Sequence, residues 1–239
     1  MFKEIMSVRN IEKSYSSTSD FKLGPFSVSF REGESIALFG KNGAGKTTFF
    51  QIITGNLDSA SGEVYFLGKK LTPDTYLLKR NMGYLPQYPE LPMWVTGSEL
   101  LGYACRLYEI ASPEDAKRKS MEFWDCLYYS NKPIAACSHG MQKRVSLALA
   151  TINDPDFLIL DEPFSGLDIE HIESLKKCIR ARSDRGKTTL ICDHIIPYTA
   201  RLCQTAYTLI NGNLAPITAW KDLDFEGRIN MTEGIFLKR

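Results

Sequence analysis

The segment GKNGAGKT, Gly40 to Thr47, fits the pattern G-x-x-x-x-G-K-[ST]. It follows SIALFG (35–40), an apolar run that reads as a strand, and opens a stretch from Gly45 to Thr54 that reads as a helix closed by Gly55. Strand, glycine-rich loop and helix in that order restrict the chain to folds that hold a helix N-terminus over a sheet edge. Glycines let successive amides turn toward one anion, and the helix end adds partial positive charge. Lys46 then reaches the β and γ phosphates of a nucleotide, and the Thr47 hydroxyl ligates Mg²⁺. The candidate phosphate-binding residues are Gly40, Asn42, Gly43, Ala44, Gly45, Lys46, Thr47 and Thr48.

The rest of the chain supplies a sheet for that loop. FSVSF (26–30) and GEVYFLG (62–68) are short β-branched or aromatic runs bounded by glycine and charge. NMGYLPQ (81–87), FLILDE (157–162) and TTLICDH (188–194) are apolar runs without alternation, as in strands covered on both faces. Amphipathic stripes at 98–109 and 141–152 predict helices, so βα alternation gives an α/β core. Residues from about 88 to 137 have helical periodicity and no strand signal, which predicts a helical insertion. LINGNLAP (209–216) carries an Asn-Gly hairpin signal, whereas FEGRINMTEGIFLKR at the end has no readable motif. FLILDE also brings chemistry: Asp161 orients Mg²⁺ through water, and Glu162 accepts a proton from attacking water.

Composition bounds the partners. With 29 basic and 28 acidic residues among 239, the net charge is +1, which offers no field for steering nucleic acid. Lys117-Arg118-Lys119, the dense basic run, reads as a solvated helix face. Six scattered cysteines without C-x-x-C spacing read as packed thiols in a reducing compartment. No run of 18 apolar residues and no signal-peptide core are present, so one soluble cytoplasmic domain is expected.

Five further features narrow the class. Tyr15 lies 25 residues before the P-loop, Gln87 ends MGYLP, SGLD (165–168) follows Glu162, His194 ends TTLICD, and CSHGMQKR (137–144) lies about 20 residues before Asp161. In this order they resemble the nucleotide-binding domain of ABC (ATP-binding cassette) transporters over nearly the whole chain, 1–239. The resemblance implies a P-loop NTPase (RecA-like) core with an antiparallel β subdomain and an inserted helical subdomain at about 88–152. It implies ATP and Mg²⁺ as ligands, with Thr47, Gln87 and Asp161 around the metal. It further implies Tyr15 stacked on adenine, and Glu162, His194 and Lys46 as the catalytic set. Asp168 is then the acid of a loop that touches a partner subunit.

CSHGMQKR stands where the family carries Leu-Ser-Gly-Gly-Gln. Ser138 and Gly140 match, while Cys137, His139 and Met141 depart. The physical task, a serine-capped helix N-terminus facing a γ phosphate, needs only the matching pair. His139 puts turnover and affinity in question, since losing the glycine costs only if that position needs positive φ or very close backbone approach. The resemblance implies two protomers head to tail, a homodimer or a pair of close relatives, each completing the other's site. It also implies a separate integral membrane subunit that holds the chain peripherally at the membrane, with no nucleic acid. QYPELPMWV (87–95) fits an apolar docking patch for that subunit and equally fits core packing. By analogy the GM pair and short insertion suit an ABC-2-type exporter. Two alternatives are a soluble ABC-type ATPase acting on ribosomes or DNA and a P-loop phosphotransferase. The former generally has two cassettes or a long coiled coil, and the latter does not call for SGLD, the signature-like segment and His194 together.

Overall fold

The computed structural model describes residues 3–15 and 21–237. In chain order, β1 (Glu4–Ser14), β2 (Lys22–Arg31) and β3 (Ser35–Phe39) lead to α1 (Lys46–Ile53). Then come β4 (Ser61–Phe66), β5 (Lys69–Lys70), α2 (Tyr76–Lys79) and β6 (Met82–Leu85). The helices α3 (Gly97–Leu107), α4 (Pro113–Phe123) and α5 (His139–Thr151) precede β7 (Phe157–Asp161). The chain closes with α6 (Ile169–Asp184), β8 (Thr188–Cys192), α7 (Ile196–Leu202), β9 (Thr205–Ile210), β10 (Asn213–Pro216) and α8 (Phe225–Leu237).

Two sheets result. The larger has the order β10-β9-β3-β8-β7-β6, parallel from β9 to β6 with β10 antiparallel at its edge. The smaller, β2-β1-β4-β5, is antiparallel. Every residue of β3, β7 and β8 is buried, because successive side chains go to opposite faces and both faces are covered. Ala37, Leu158, Leu160 and Ile191 pack on one side with α3, α5, α6 and α7. Ile36, Leu38, Phe157, Ile159 and Leu190 pack on the other with α1 and the small sheet. Phe157 joins the sheets, its ring 6.1 Å from that of Phe30 and 6.2 Å from that of Phe66. The α/β class, the antiparallel sheet and the helices between β6 and β7 agree with the reading of the sequence.

Local chemistry sets the ends of these elements. Thr96 and Glu99 form a capping box on α3, and Pro113 with Glu114 and Asp115 starts α4. The basic run on α4 is paired along its own helix: Lys117 with Glu114, Arg118 with Asp115 and Glu122, Lys119 with Asp115. Asn211 and Gly212, with φ of 48° and 76°, make the two-residue turn of the β9–β10 hairpin. A Cβ on Gly212 would come 1.9 Å from the Lys22 carbonyl oxygen, so glycine is required there. The six cysteines are free, and five of them are buried.

The motif-free tail is the helix α8, held against α7. Arg228 donates to the carbonyls of Trp220, Ala200 and Cys203, while Phe225, Ile229 and Phe236 pack on the core. The strand β1 has no counterpart in the sequence reading. Among the described residues, no helix is long and apolar enough to cross a membrane.

Close contact between β6 and α5 gives the first prediction. A Cβ on Gly83 would lie 2.1 Å from the Ala150 carbonyl oxygen and under 3 Å from Leu158 and Pro155. Gly83→Ala should cost about 1–3 kcal/mol by overpacking, read as a lower urea midpoint at unchanged slope.

Candidate nucleotide site

The parallel strands deliver the site. Leu38 pairs with Cys192 and Cys192 with Asp161, so β3, β8 and β7 end together and the segments that follow them share one sheet edge. A cavity of about 370 Å³ opens there, with Lys41, Asn42, Gly43, Gly45, Lys46, Thr47 and Thr48 around it and Gln87 and Asp161 opposite. Gly43 and Gly45 have φ of 79° and 103°, the left-handed region that lets the loop curl, and Gly45 starts α1 without a side-chain cap. The amides of the first helical turn are therefore available to an anion. Lys46 is buried and donates to the carbonyls of Gly40 and Lys41 at 2.8 and 3.3 Å, which holds its ammonium over the loop.

The acids differ in environment. Asp161 is 3% exposed, and its Oδ1 has no hydrogen-bond partner. Burial, with Glu162 adjacent, pushes its carboxyl up to about 6. An orphaned, buried carboxylate oxygen at a cavity that Thr47 and Gln87 also border suits a hard cation that takes its other ligands from water and phosphate. Glu162 is buried with φ of 48°, and its Oε1 lies 2.6 Å from His194 Nε2. The two catalytic candidates of β7 and β8 thus form a pair. Asp193 accepts from the amides of Phe164 and Ile195, and burial raises its carboxyl.

The remaining sequence candidates lie elsewhere. Ser138 caps α5, accepting from the Met141 amide at 3.3 Å, and Asp168 caps α6, accepting from the His171 amide at 3.1 Å. Neither they nor Gly140 border the cavity. His139 begins α5 without positive φ, and its ring lies against Gly166 of SGLD, 2.9 Å from where a Cβ would stand. Gly140 faces the Gly166 carbonyl at a similar approach, 3.0 Å for an added Cβ, so a side chain there would press on the SGLD backbone. Tyr15 shares a hydrogen bond with the Thr48 hydroxyl at 2.9 Å, and the aromatic ring bordering the cavity is that of Phe21. Tyr88 and Trp94 are 75% and 83% exposed, which removes core packing as the explanation of QYPELPMWV.

Sequence reasoning missed three contributors. Phe21 carries no motif. Lys143 is 2% exposed and donates to the Glu162 carbonyl. Arg144 donates to Asp125 and meets His171, whose Nδ1 is bonded to Asp168, so the SGLD acid is tied to the helical insertion.

A family model described as "ABC transporter" matches residues 23–165. The chain belongs to the ABC transporter family. Among relatives of this ABC chain, the uncharacterized ABC transporter ATP-binding protein YxlF of Bacillus subtilis is 33% identical over 226 residues, 91% of this chain and 70% of that one. The lipopolysaccharide export system ATP-binding protein LptB of Haemophilus influenzae is 30% identical over 215 residues, 88% of each chain. The Nod factor export ATP-binding protein I of Ralstonia nicotianae is 30% identical over 210 residues, 87% of this chain. The chain spans 65% of that relative and 55% of the Synechocystis ABC transporter ATP-binding protein sll0415. The solved ATP-binding subunit of an ABC transporter superposes at a TM-score of 0.84 and 24% identity, covering 95% of this chain and 99% of that one. A dimeric ATP-binding cassette in a post-hydrolysis state with ADP and Pi superposes at 0.80 and 21% identity, covering 89% and 98%. The fold is that of an ABC ATP-binding cassette.

The ABC acid Asp161 yields a pH prediction. Its carboxyl is raised in the folded state, so between about pH 4 and 6 the native protein binds the extra proton and this group costs stability as pH rises. Asp161→Asn should stabilise the nucleotide-free protein by about 2–3 kcal/mol at pH 7, with the gain vanishing below pH 4. Denaturant titrations of both proteins from pH 4 to 7 measure the difference.

Proposed function

We propose that this ABC chain binds and hydrolyses ATP with Mg²⁺, and that two copies, or one copy and a close relative, close head to tail around two nucleotides. The observation that carries this is the division of the parts. The P-loop, Gln87 and Asp161 border one cavity, beside the Glu162–His194 pair, while the serine-capped helix with Ser138 and Gly140 stands outside it. A helix N-terminus that its own chain does not place on the phosphates is available to another chain's nucleotide.

In this reading the α1 amides and Lys46 hold the β and γ phosphates, and Thr47, Gln87 and Asp161 hold Mg²⁺. When bound, the cation neutralises charge that develops on the phosphate oxygens. Glu162 accepts the proton of the attacking water, and His194 fixes the Glu162 carboxylate and lies at the mouth of the γ-phosphate position. Phe21 and Tyr15 are the aromatic candidates for the base. Closure on ATP and relaxation after hydrolysis favour different conformations, which is what a coupled membrane subunit would use. Exposed Tyr88, Met93 and Trp94 on the segment after Gln87 suit docking of that subunit. Export is favoured, as the names of the two export-system relatives suggest. We place the chain at the cytoplasmic face, attached through that partner.

Two measurements test the core of this reading. Glu162→Gln should retain ATP binding and shift to a dimer in gel filtration with Mg²⁺–ATP, and a monomer at saturating ATP would refute the shared site. Lys46→Ala should weaken nucleotide binding at least about tenfold, the loss of a charge-assisted contact of about 1.5–3 kcal/mol. Isolation of the chain from membranes with an integral partner would support transport, and isolation with ribosomes would support the soluble alternative.

A further inference from the structure

The Glu162 carboxylate hangs from an unusual piece of backbone. Its amide makes the last bond of the β7–β8 ladder, donating to the Cys192 carbonyl at 2.7 Å. Its φ of 48° then turns the chain out of the strand, a conformation that side-chain-bearing residues adopt only where the surroundings enforce it. The carbonyl so released from the ladder is buried with the residue, and a buried carbonyl needs a donor. Lys143 Nζ supplies it at 3.0 Å.

Lys143 is an expensive choice of donor. It is 2% exposed, in a class of residue rarely buried, and its burial lowers its own basicity against the pull of Asp193, Asp161 and Glu162. Its ammonium is hydrogen-bonded to a main-chain oxygen rather than to any of those three side chains. The bond therefore fixes the path of the backbone that carries Glu162 and leaves the carboxylate to His194.

Lys143 also belongs to α5, whose N-terminus is capped by Ser138. Lys143 lies five positions after the cap, about 7.5 Å along the helix axis. The same helix abuts Gly166 of SGLD through His139 and Gly140. We propose that Lys143 is a positioning residue that couples the two nucleotide sites: α5 engages the neighbour's γ phosphate at its N-terminus and, little more than one turn further along, sets the backbone of its own chain's Glu162 through Lys143. This rests on the shared-site reading above. A shift of α5 on binding the neighbour's nucleotide is transmitted through one hydrogen bond to the base that serves its own, which is a coupling between sites through a physical contact.

The test uses the full chain with Lys143→Met, which keeps the length and removes the donor, and Lys143→Arg, which keeps a cation and donors. For Lys143→Met, kcat should fall at least about tenfold, with the KM for ATP and nucleotide affinity within about twofold. The Hill coefficient for ATP should drop toward one, and Lys143→Arg should restore most of both. In the nucleotide-free protein the amides of Glu162 and Phe164 should exchange hydrogen at least about tenfold faster in Lys143→Met. Unchanged kcat and Hill coefficient would overturn the proposal, as would a fall in kcat matched by an equal fall in nucleotide affinity, the mark of a merely structural role. Should Lys143→Met not fold, Lys143→Gln, which keeps a shorter donor, should show intermediate loss of kcat at retained affinity, and wild-type kcat would overturn the proposal. The exchange measurement needs no turnover. If wild type fails to hydrolyse ATP or Glu162→Gln fails to dimerise, the shared-site reading falls, while unaltered exchange in a dimerising, active protein overturns only the role of Lys143.

Discussion

Three parallel strands in register are the constraint on which everything else hangs. Cys192 of β8 is flanked by Leu38 of β3 and Asp161 of β7 on one rung. Parallel strands must all leave the sheet at the same edge, so the P-loop, the Asp161–Glu162 pair and the Asp193–His194 pair are delivered together. The strands can be packed this tightly because each is apolar on both faces, and two separate hydrophobic layers cover them. The polar groups of the site are consequently set into the rim of a dry core. That explains why the Asp161 carboxyl is raised and why a cation there would find a strong partner.

The helical insertion answers a different demand. Its own packing leaves Ser138 and Gly140 at a helix tip beside Gly166, and Arg144 ties that helix to Asp125 and His171. His171 in turn holds the acid of SGLD. The segment that departs from the usual family wording is thus built into a continuous set of contacts running from the insertion to the loop after Glu162. Histidine at position 139 contributes to that set with its ring, in a backbone conformation open to any residue.

Much of this was legible in the sequence, for identifiable reasons. The central strands are unalternating apolar runs, the β9–β10 turn carries Asn-Gly, and the P-loop comes with its strand and helix, so pattern and context agree. The strand β1 was invisible because its periodicity is broken: Ile5 and Met6 are both buried in sequence, and register shifts and a positive φ at Asn10 interrupt the alternation. The helix α8 was illegible because its buried stripe includes Thr232 and its length includes Gly227 and Gly234, which blunt the apolar signal. Lys143 sits among polar residues in QKR, off the apolar stripe of its helix, and only the positive φ of Glu162 reveals why an ammonium is needed inside. Tyr15 and Phe21 show the complementary limit, since spacing names an aromatic without deciding which ring meets the cavity.

The tail helix α8 has a consequence of its own. Phe236 borders a recess with Lys41, Asn42 and Gly43 of the P-loop on one side and a second recess with Asp193 and His194 on the other. A single ring therefore sits between these two loops, at the last turn of a helix whose other end is pinned by Arg228. The end of the carboxy-terminal helix is thereby packed against both loops at once, so neither can change its path without displacing the same aromatic ring.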